Sequence, residues 1–231
     1  MCEHGKLLFR YGTMNSGKSL QLLATAHNFH ERGILFMVLK STIDTRDGAD
    51  VIHSRALGDR ECVSVSPEDD IFELIKSITS LNFGVRGKQI KWLLVDECQF
   101  LTPKQVDELA AVADNMNINV ICYGLRTDFQ TNLFPGSKRL FEIADSLEEI
   151  KSSCSCNSKT IFNARVDEKG NLVTQGSQIE VGGEEKYIAL CRKCYFEKTK
   201  NPLYVKPDND DNGIEDVDDF DDDNNFEEEK I

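Results

Sequence analysis

Short apolar runs alternate along the chain with stretches in which apolar residues recur every three or four positions. The runs at residues 7–11, 34–39, 90–95 and 118–123 predict buried strands, and residues 62–66 alternate as a shorter strand does. Strands that alternate with amphipathic helices predict an α/β fold, with a parallel sheet covered by helices on both faces.

Three helices are expected between these strands. The first follows residue 19 and ends near Gly33. Ser66 as N-cap and Pro67 at the first helical position predict the start of the second, and Thr102 with Pro103 predicts the start of the third.

A glycine-rich motif connects the first predicted strand to the first predicted helix. It has the G-x-x-x-x-G-K-[ST] form of a phosphate-binding loop, or P-loop, and reads Gly12-Thr13-Met14-Asn15-Ser16-Gly17-Lys18-Ser19. Backbone N–H groups of such a loop face the phosphates, Lys18 supplies a cation, and the Ser19 hydroxyl is a ligand for magnesium. The motif therefore predicts binding of a nucleoside triphosphate.

Two adjacent acids end the apolar run at 90–95. Asp96 has the position of a Walker B aspartate, which holds magnesium, and Glu97 is placed to act as a general base. The nucleophile that Glu97 activates is either water, which gives an ATPase, or a substrate hydroxyl, which gives a kinase.

Four of the eight cysteines form two close pairs, Cys154 with Cys156 and Cys191 with Cys194. Two such pairs can surround one zinc ion as thiolates, and a four-thiolate site is normally structural. Four unliganded thiols are the alternative. No secretory leader opens the chain and no apolar run approaches the length of a membrane span, so we expect a cytoplasmic protein without a membrane partner.

The formal net charge of −13 is concentrated at one end of the chain. Residues 207–231 contain 13 acids and one base, whereas the rest of the chain contains 27 acids and 26 bases. The folded part has no basic excess, so we expect no nucleic-acid partner. The acidic end is expected to be disordered and to serve solubility, with docking to a partner as the alternative.

These motifs together resemble the type II thymidine kinases, the cytosolic and bacterial form. The resemblance extends from Leu7 to about Phe196. It includes the P-loop with its internal Met14, both cysteine pairs, and the segments Asp44-Thr45-Arg46, Asp96-Glu97-Cys98-Gln99-Phe100, Leu125 to Phe134 and Gly182 to Tyr187.

The resemblance implies a P-loop NTPase-type sheet with a small zinc-binding subdomain, and transfer of phosphate from ATP to the 5′-hydroxyl of thymidine. Deoxyuridine is the expected second substrate, because it lacks only the 5-methyl group. Glu97 would deprotonate that hydroxyl, Lys18, Ser19 and Asp96 would manage ATP and Mg²⁺, and Asp44 and Arg46 would assist the transfer. The nucleotide-binding set would comprise residues 12–19 with Asp96, Glu97, Cys98 and Gln99.

The thymine pocket implied by the resemblance has apolar walls and a backbone edge. The walls would be Met14, Phe100, Leu125, Phe129, Phe134 and Tyr187, and the backbone edge would be Gln178, Ile179, Glu180 and Val181. Asn163 stands where family members often have threonine. The resemblance also implies a homotetramer and feedback inhibition by thymidine triphosphate.

The expected division of the chain has three parts. Residues 1–150 form the nucleotide-binding α/β domain, residues 151–200 form the zinc subdomain with a nucleoside-binding lasso loop, and residues 201–231 form the acidic tail. Two other functions stay open from the residues alone. One is a helicase-type P-loop ATPase with a zinc ribbon, and the other is a non-enzymatic nucleotide sensor.

Overall fold

A computed structural model describes residues 4–44, 51–54, 58–86, 89–178, 186–201 and 203–204. The strands are β1 (Leu7–Gly12), β2 (Phe36–Ser41), β3 (Val51–Ser54), β4 (Gly58–Glu61), β5 (Val63–Val65), β6 (Trp92–Asp96), β7 (Asn119–Leu125), β8 (Ser146–Ile150), β9 (Phe162–Val166), β10 (Leu172–Val173) and β11 (Tyr187–Leu190). The helices are α1 (Lys18–Glu31), α2 (Ile71–Arg86), α3 (Pro103–Met116), α4 (Pro135–Ile143) and α5 (Arg192–Lys198), with a 3₁₀ turn at Cys98–Phe100.

The central sheet has six strands in the order β5-β2-β6-β7-β1-β8, and every neighbouring pair is parallel. The predicted α/β fold with a parallel sheet is confirmed. Carboxyl ends of parallel strands meet at one edge, so the loops that follow β1, β2, β6 and β7 gather there.

The two faces of this sheet bury alternate residues of the same strands. Leu93 of β6 packs in the cluster that contains Leu109 of α3, whereas Leu94 packs in the cluster that contains Leu22 and Ala26 of α1. Successive side chains of a strand point to opposite faces, so these runs must be apolar throughout. Helices on both faces follow from that pattern.

The start of α2 differs from the sequence prediction. The helix begins at Ile71, and the carboxylate of Asp70 accepts a hydrogen bond from the Glu73 N–H at 2.9 Å. Ser66 is therefore not the N-cap. Its carbonyl instead accepts from the side-chain amide of Gln105 at 2.7 Å, which ties the preceding turn to α3.

A second, smaller unit contains the antiparallel sheet β10-β9-β11 and helix α5. Phe162 and Tyr195 pack in its core with ring centroids 5.0 Å apart. The hydroxyl of Thr13, between β1 and α1, lies 2.8 Å from that of Ser152 and 3.0 Å from that of Thr160, so hydrogen bonds join the start of this unit to the loop between β1 and α1.

Within the predicted acidic tail, residue 202 and residues 205–231 lie outside the described residues, and so do residues 179–185 of the predicted subdomain that contains the lasso loop. Among the helices that the structure describes, none has the length and apolar character that a membrane span requires.

Removal of the α3 cap tests the local basis of the fold. The Thr102 hydroxyl accepts from the Gln105 N–H at 3.2 Å, and the Gln105 side chain accepts from the Thr102 N–H at 3.1 Å. We expect Thr102→Ala to lower the free energy of unfolding by about 1 kcal/mol, measured by urea denaturation, because the helix loses this reciprocal cap. The control Asn115→Ala, at an exposed position of the same helix, should change it by less than about 0.5 kcal/mol. Equal effects of the two substitutions would contradict the role of the cap.

Candidate active site

The loop between β1 and α1 has the conformation that a phosphate site requires. Asn15 and Gly17 adopt left-handed backbone angles, with φ of 58° and 87°. A Cβ at Gly12 would lie 2.7 Å from the Ile150 carbonyl oxygen, so only glycine fits there. In the described part of the chain, no side chain caps the first turn of α1, and the buried Ser16 hydroxyl has no hydrogen-bond partner. The N–H groups of this first turn and the Ser16 hydroxyl are therefore suited to donate hydrogen bonds to a phosphate group.

Lys18 lies almost completely buried beside this loop. Its ammonium group donates to the Thr13 carbonyl at 2.8 Å, which holds the side chain over the loop backbone. A positive charge fixed in this position is suited to the β and γ phosphates of a nucleotide.

Asp96, at the end of β6, faces the first turn of α1. One carboxylate oxygen accepts from the Ser19 hydroxyl at 3.3 Å, and the other accepts from the Glu97 N–H at 3.0 Å. Burial raises the pKa of the Asp96 carboxyl to about 7, and the nearby Glu97 adds to this rise. A buried carboxylate beside a hydroxyl is a fitting donor pair for a hard divalent cation such as Mg²⁺, which would relieve the cost of burying the charge.

Glu97 adopts a left-handed backbone conformation, with φ of 49° and ψ of 39°. This conformation is uncommon for residues other than glycine, and here it ends the extended backbone of β6 directly after Asp96. The side-chain amide of Gln99 donates to the Glu97 carboxylate, and its oxygen accepts from the Leu125 N–H at 2.9 Å. The Gln99 amide thus links Glu97 to the end of β7.

Cys98 and Gln99 belong to the nucleotide-binding set that the resemblance implies. The Gln99 side chain contacts Glu97 and Leu125, and the Cys98 side chain lies in the hydrophobic core. The Cys98 thiol is fully buried in the core, and burial next to Cys122 raises its pKa well above the usual range. A Cβ on Gly124 would lie 2.6 Å from this sulfur. Only the backbone of Cys98 is left to approach a nucleotide.

A buried ion pair that sequence reasoning missed lies at the end of β2. The Lys40 ammonium is 3.3 Å from the Asp44 carboxylate, and both side chains are almost completely buried. Lys40 is in register with Asp96 on the neighbouring strand, so Asp44 approaches the same edge of the sheet. The available signal was a lysine directly after the apolar run Phe36–Leu39. Arg46, expected to act with Asp44, lies outside the described residues.

Three of the residues expected to form the thymine pocket make contacts that the structure describes, Phe100 with Phe134 and Met14 with Asn163. The rings of Phe100 and Phe134 meet edge to face with centroids 5.8 Å apart. The side chain of Asn163 accepts from the Met14 N–H at 2.7 Å and donates to the Thr127 carbonyl at 3.3 Å, so it bridges the P-loop and the loop after β7.

Four further residues expected in the pocket lie in the described part of the chain. Leu125 ends β7, and Phe129 is buried under the guanidinium group of Arg165. Tyr187 is half-buried and pairs with Arg165 in the small sheet. Gln178 donates to the Asp128 carboxylate at 2.9 Å, whereas Ile179, Glu180 and Val181 lie outside the described residues.

The four clustered cysteines come together as the spacing suggested. The sulfur atoms of Cys154, Cys156, Cys191 and Cys194 all lie within 4.8 Å of one another. Hydrogen bonds from Ser158 lower the pKa of Cys156 to about 6, whereas the neighbouring Cys191 raises the pKa of Cys194 to about 12. Four adjacent thiols cannot all ionise without a cation between them, so the set suits a thiophilic metal ion.

Comparisons with known proteins agree on one family. The sequence model of the family described as "Thymidine kinase" matches residues 5–195. A thymidine kinase of Streptococcus agalactiae is 43% identical over 191 residues, which cover 83% of this chain and 97% of that protein. Thymidine kinases of Zymomonas mobilis and Rhizobium etli are 45% and 39% identical, over 84% and 87% of this chain and 97% and 98% of their own lengths.

Substitution of one cluster cysteine tests the metal site. We expect Cys191→Ser to abolish stoichiometric metal in elemental analysis, because it removes one of the four clustered sulfur atoms. The same sulfur is the N-cap of α5, so its loss also weakens the start of that helix. The midpoint of thermal unfolding should fall by about 5 °C or more, as a loss of roughly 2 kcal/mol would cause in a chain of this size. Cys62→Ser, outside the cluster, should retain the wild-type metal content. Equal metal content in the two variants would show that the cluster does not bind the ion.

Proposed function

The chain belongs to the thymidine kinase family, and on this basis we propose that it transfers the γ-phosphate of ATP to the 5′-hydroxyl of deoxythymidine. The hydrogen bond between Ser19 and Asp96 carries the proposal, because it brings the phosphate-binding loop next to the end of β6, which Glu97 directly follows. The loop that binds ATP, the ligands for the metal ion and the general base therefore lie at one edge of the sheet.

The donor nucleotide is held by backbone groups and one cation. The amides of residues 13–19 and the Ser16 hydroxyl bind the phosphates, and Lys18 balances the charge on the β and γ phosphates. Ser19 and Asp96 are the ligands for Mg²⁺, which when bound supplies charge that stabilises the transferring phosphoryl group. Asp44, supported by Lys40, assists at the same edge. Arg46 has the role of a second assisting residue in the transfer.

Glu97 removes the proton from the 5′-hydroxyl as the oxygen attacks. A bond forms between that oxygen and the γ-phosphorus, the bond from the γ-phosphorus to the bridging oxygen breaks, and ADP leaves. Gln99 orients the carboxylate through its contact with Leu125. A base that is already oriented at the moment of attack contributes about 100-fold or more to the rate.

The thymine ring fits the apolar walls formed by Met14, Phe100, Leu125, Phe129, Phe134 and Tyr187. Backbone groups of residues 178–181 read the polar edge of the base and exclude purines by size. Deoxyuridine is the expected second substrate, because an apolar pocket discriminates a missing methyl group only modestly.

Further properties complete the proposal. Zinc is the ion best suited to four thiolates, in a closed site with a structural role. We also propose a cytoplasmic homotetramer that thymidine triphosphate inhibits and that takes no nucleic-acid partner.

A helicase-type ATPase is the main alternative, because Asp96 and Glu97 also fit the site of such a motor. Two observations favour the kinase. The described residues contain one P-loop sheet, and the chain outside the acidic end has no basic excess for binding DNA.

Incubation with Mg·ATP and a panel of nucleosides tests the proposal. Phosphate that appears on thymidine and deoxyuridine, but not on purine nucleosides, supports the kinase. Release of phosphate to water, stimulated by DNA, would support the motor instead. ATP binding with neither product would support a sensor.

Substitution of the base separates chemistry from binding. We expect Glu97→Gln to lower kcat by about 100-fold or more, while the Kd for ATP stays within about twofold, because the amide keeps the shape but accepts no proton. Rapid-quench kinetics and calorimetry measure the two quantities. Glu148→Gln, on the exposed edge strand β8, is the matched control and should retain the wild-type rate. An undiminished rate in Glu97→Gln would assign the base to another residue.

A further inference from the structure

A buried arginine joins two parts of the nucleoside side of the site. We call residues 126–134 the pocket loop and residues 174–178 the flanking segment. Arg165 of β9 lies between them, 7% exposed, with its guanidinium carbon 4.1 Å from the centroid of the Phe129 ring. This distance is typical of a cation–π contact, which is stronger when the cation is removed from water.

The same guanidinium group donates to the flanking segment. One N–H group reaches the Gln175 carbonyl at 3.0 Å and another reaches the Ser177 carbonyl at 3.4 Å. Gly176, between these two, has φ of 133°, and a Cβ there would collide with the guanidinium group. The backbone of the segment is therefore shaped to receive this side chain.

Two further hydrogen bonds run between the same parts of the chain. The Gln130 amide donates to the Thr174 carbonyl at 3.3 Å, and the Gln178 amide donates to the Asp128 carboxylate at 2.9 Å. They bracket the two Arg165 contacts. The flanking segment is thus attached along its length to the pocket loop.

The pocket loop is itself held firmly. The Asp128 carboxylate accepts from the N–H groups of Gln130 and Asn132, each at 2.9 Å. The Tyr195 hydroxyl donates to the Phe129 carbonyl at 2.6 Å, which ties the loop to α5. A movement of the flanking segment would therefore not be followed by the pocket loop.

We propose that Arg165 is a positioning residue for nucleoside recognition, which holds the flanking segment against the Phe129 wall. The proposal rests on the proposed function, in which Phe129 and Gln178 contact the base. A guanidinium group can stack on a ring while its planar edge donates to two carbonyls, which the single ammonium group of lysine cannot do. Its loss should weaken nucleoside binding more than nucleotide binding or chemistry.

Steady-state kinetics of three arginine variants test this role. We expect Arg165→Met to raise KM for thymidine by about 10-fold, while KM for ATP and kcat stay within about twofold. Arg165→Lys should give an intermediate rise, because it retains the charge over the ring. Arg139→Met, which removes an arginine of α4 paired with Asp107 and Glu142, should leave all three parameters unchanged.

Hydrogen exchange of a peptide that covers residues 172–178 reports the attachment directly. Faster exchange in Arg165→Met and Arg165→Lys than in wild type is expected, with no change in Arg139→Met. If Arg165→Met does not fold, Arg165→Lys carries both measurements.

The outcomes separate this inference from the proposed function. An unchanged KM for thymidine in the Arg165 variants would overturn the inference. A change of similar size in KM for thymidine, KM for ATP and kcat would overturn it as well. A wild-type protein that transfers no phosphate to thymidine would overturn the proposed function, while exchange at 172–178 would still decide whether Arg165 holds the segment.

Discussion

The hydrogen bond between the Ser19 hydroxyl and the Asp96 carboxylate is the contact on which the site depends. It joins the first turn of α1 to the end of β6, although β7 lies between β6 and β1 in the sheet. A parallel sheet places both strand ends at the same edge, and helix α1 starts directly from the phosphate loop. The two proposed metal ligands are thereby preorganised by the fold rather than by either segment alone.

The carboxylate proposed as the base depends on a second constraint, at the turn after Asp96. Glu97 adopts a left-handed conformation that costs of order 1–3 kcal/mol and persists only where surrounding contacts require it. Gln99 provides such a contact, since its amide joins Glu97 to Leu125. Gly124 leaves the room for this arrangement, because a Cβ there would lie 2.7 Å from the Gln99 oxygen. A core glycine thus influences the orientation of a carboxylate in the site.

The sequence predicts the frame of the molecule better than its contacts. Apolar runs that alternate with helical patterns predict the parallel sheet, and the cysteine spacing predicts the cluster of four sulfur atoms, because both depend on local patterns. The ion pair between Lys40 and Asp44 escapes such reasoning, since burial of a charge is decided by packing between strands. Arg165 and Asn163 escape it for the same reason, because each contacts segments far away in the chain. The start of α2 was misplaced because Gln105 of α3 engages the Ser66 carbonyl, a tertiary contact that local capping signals do not contain.

The central claim is that a carboxylate at the end of β6 faces the 5′-hydroxyl of a nucleoside held beside the phosphate loop. A crystal structure with thymidine and a non-hydrolysable ATP analogue measures this directly. The account predicts the 5′-oxygen within about 3.2 Å of a Glu97 carboxylate oxygen, or one bridging water away. A nucleoside bound with its 5′-hydroxyl directed away from Glu97 would contradict it.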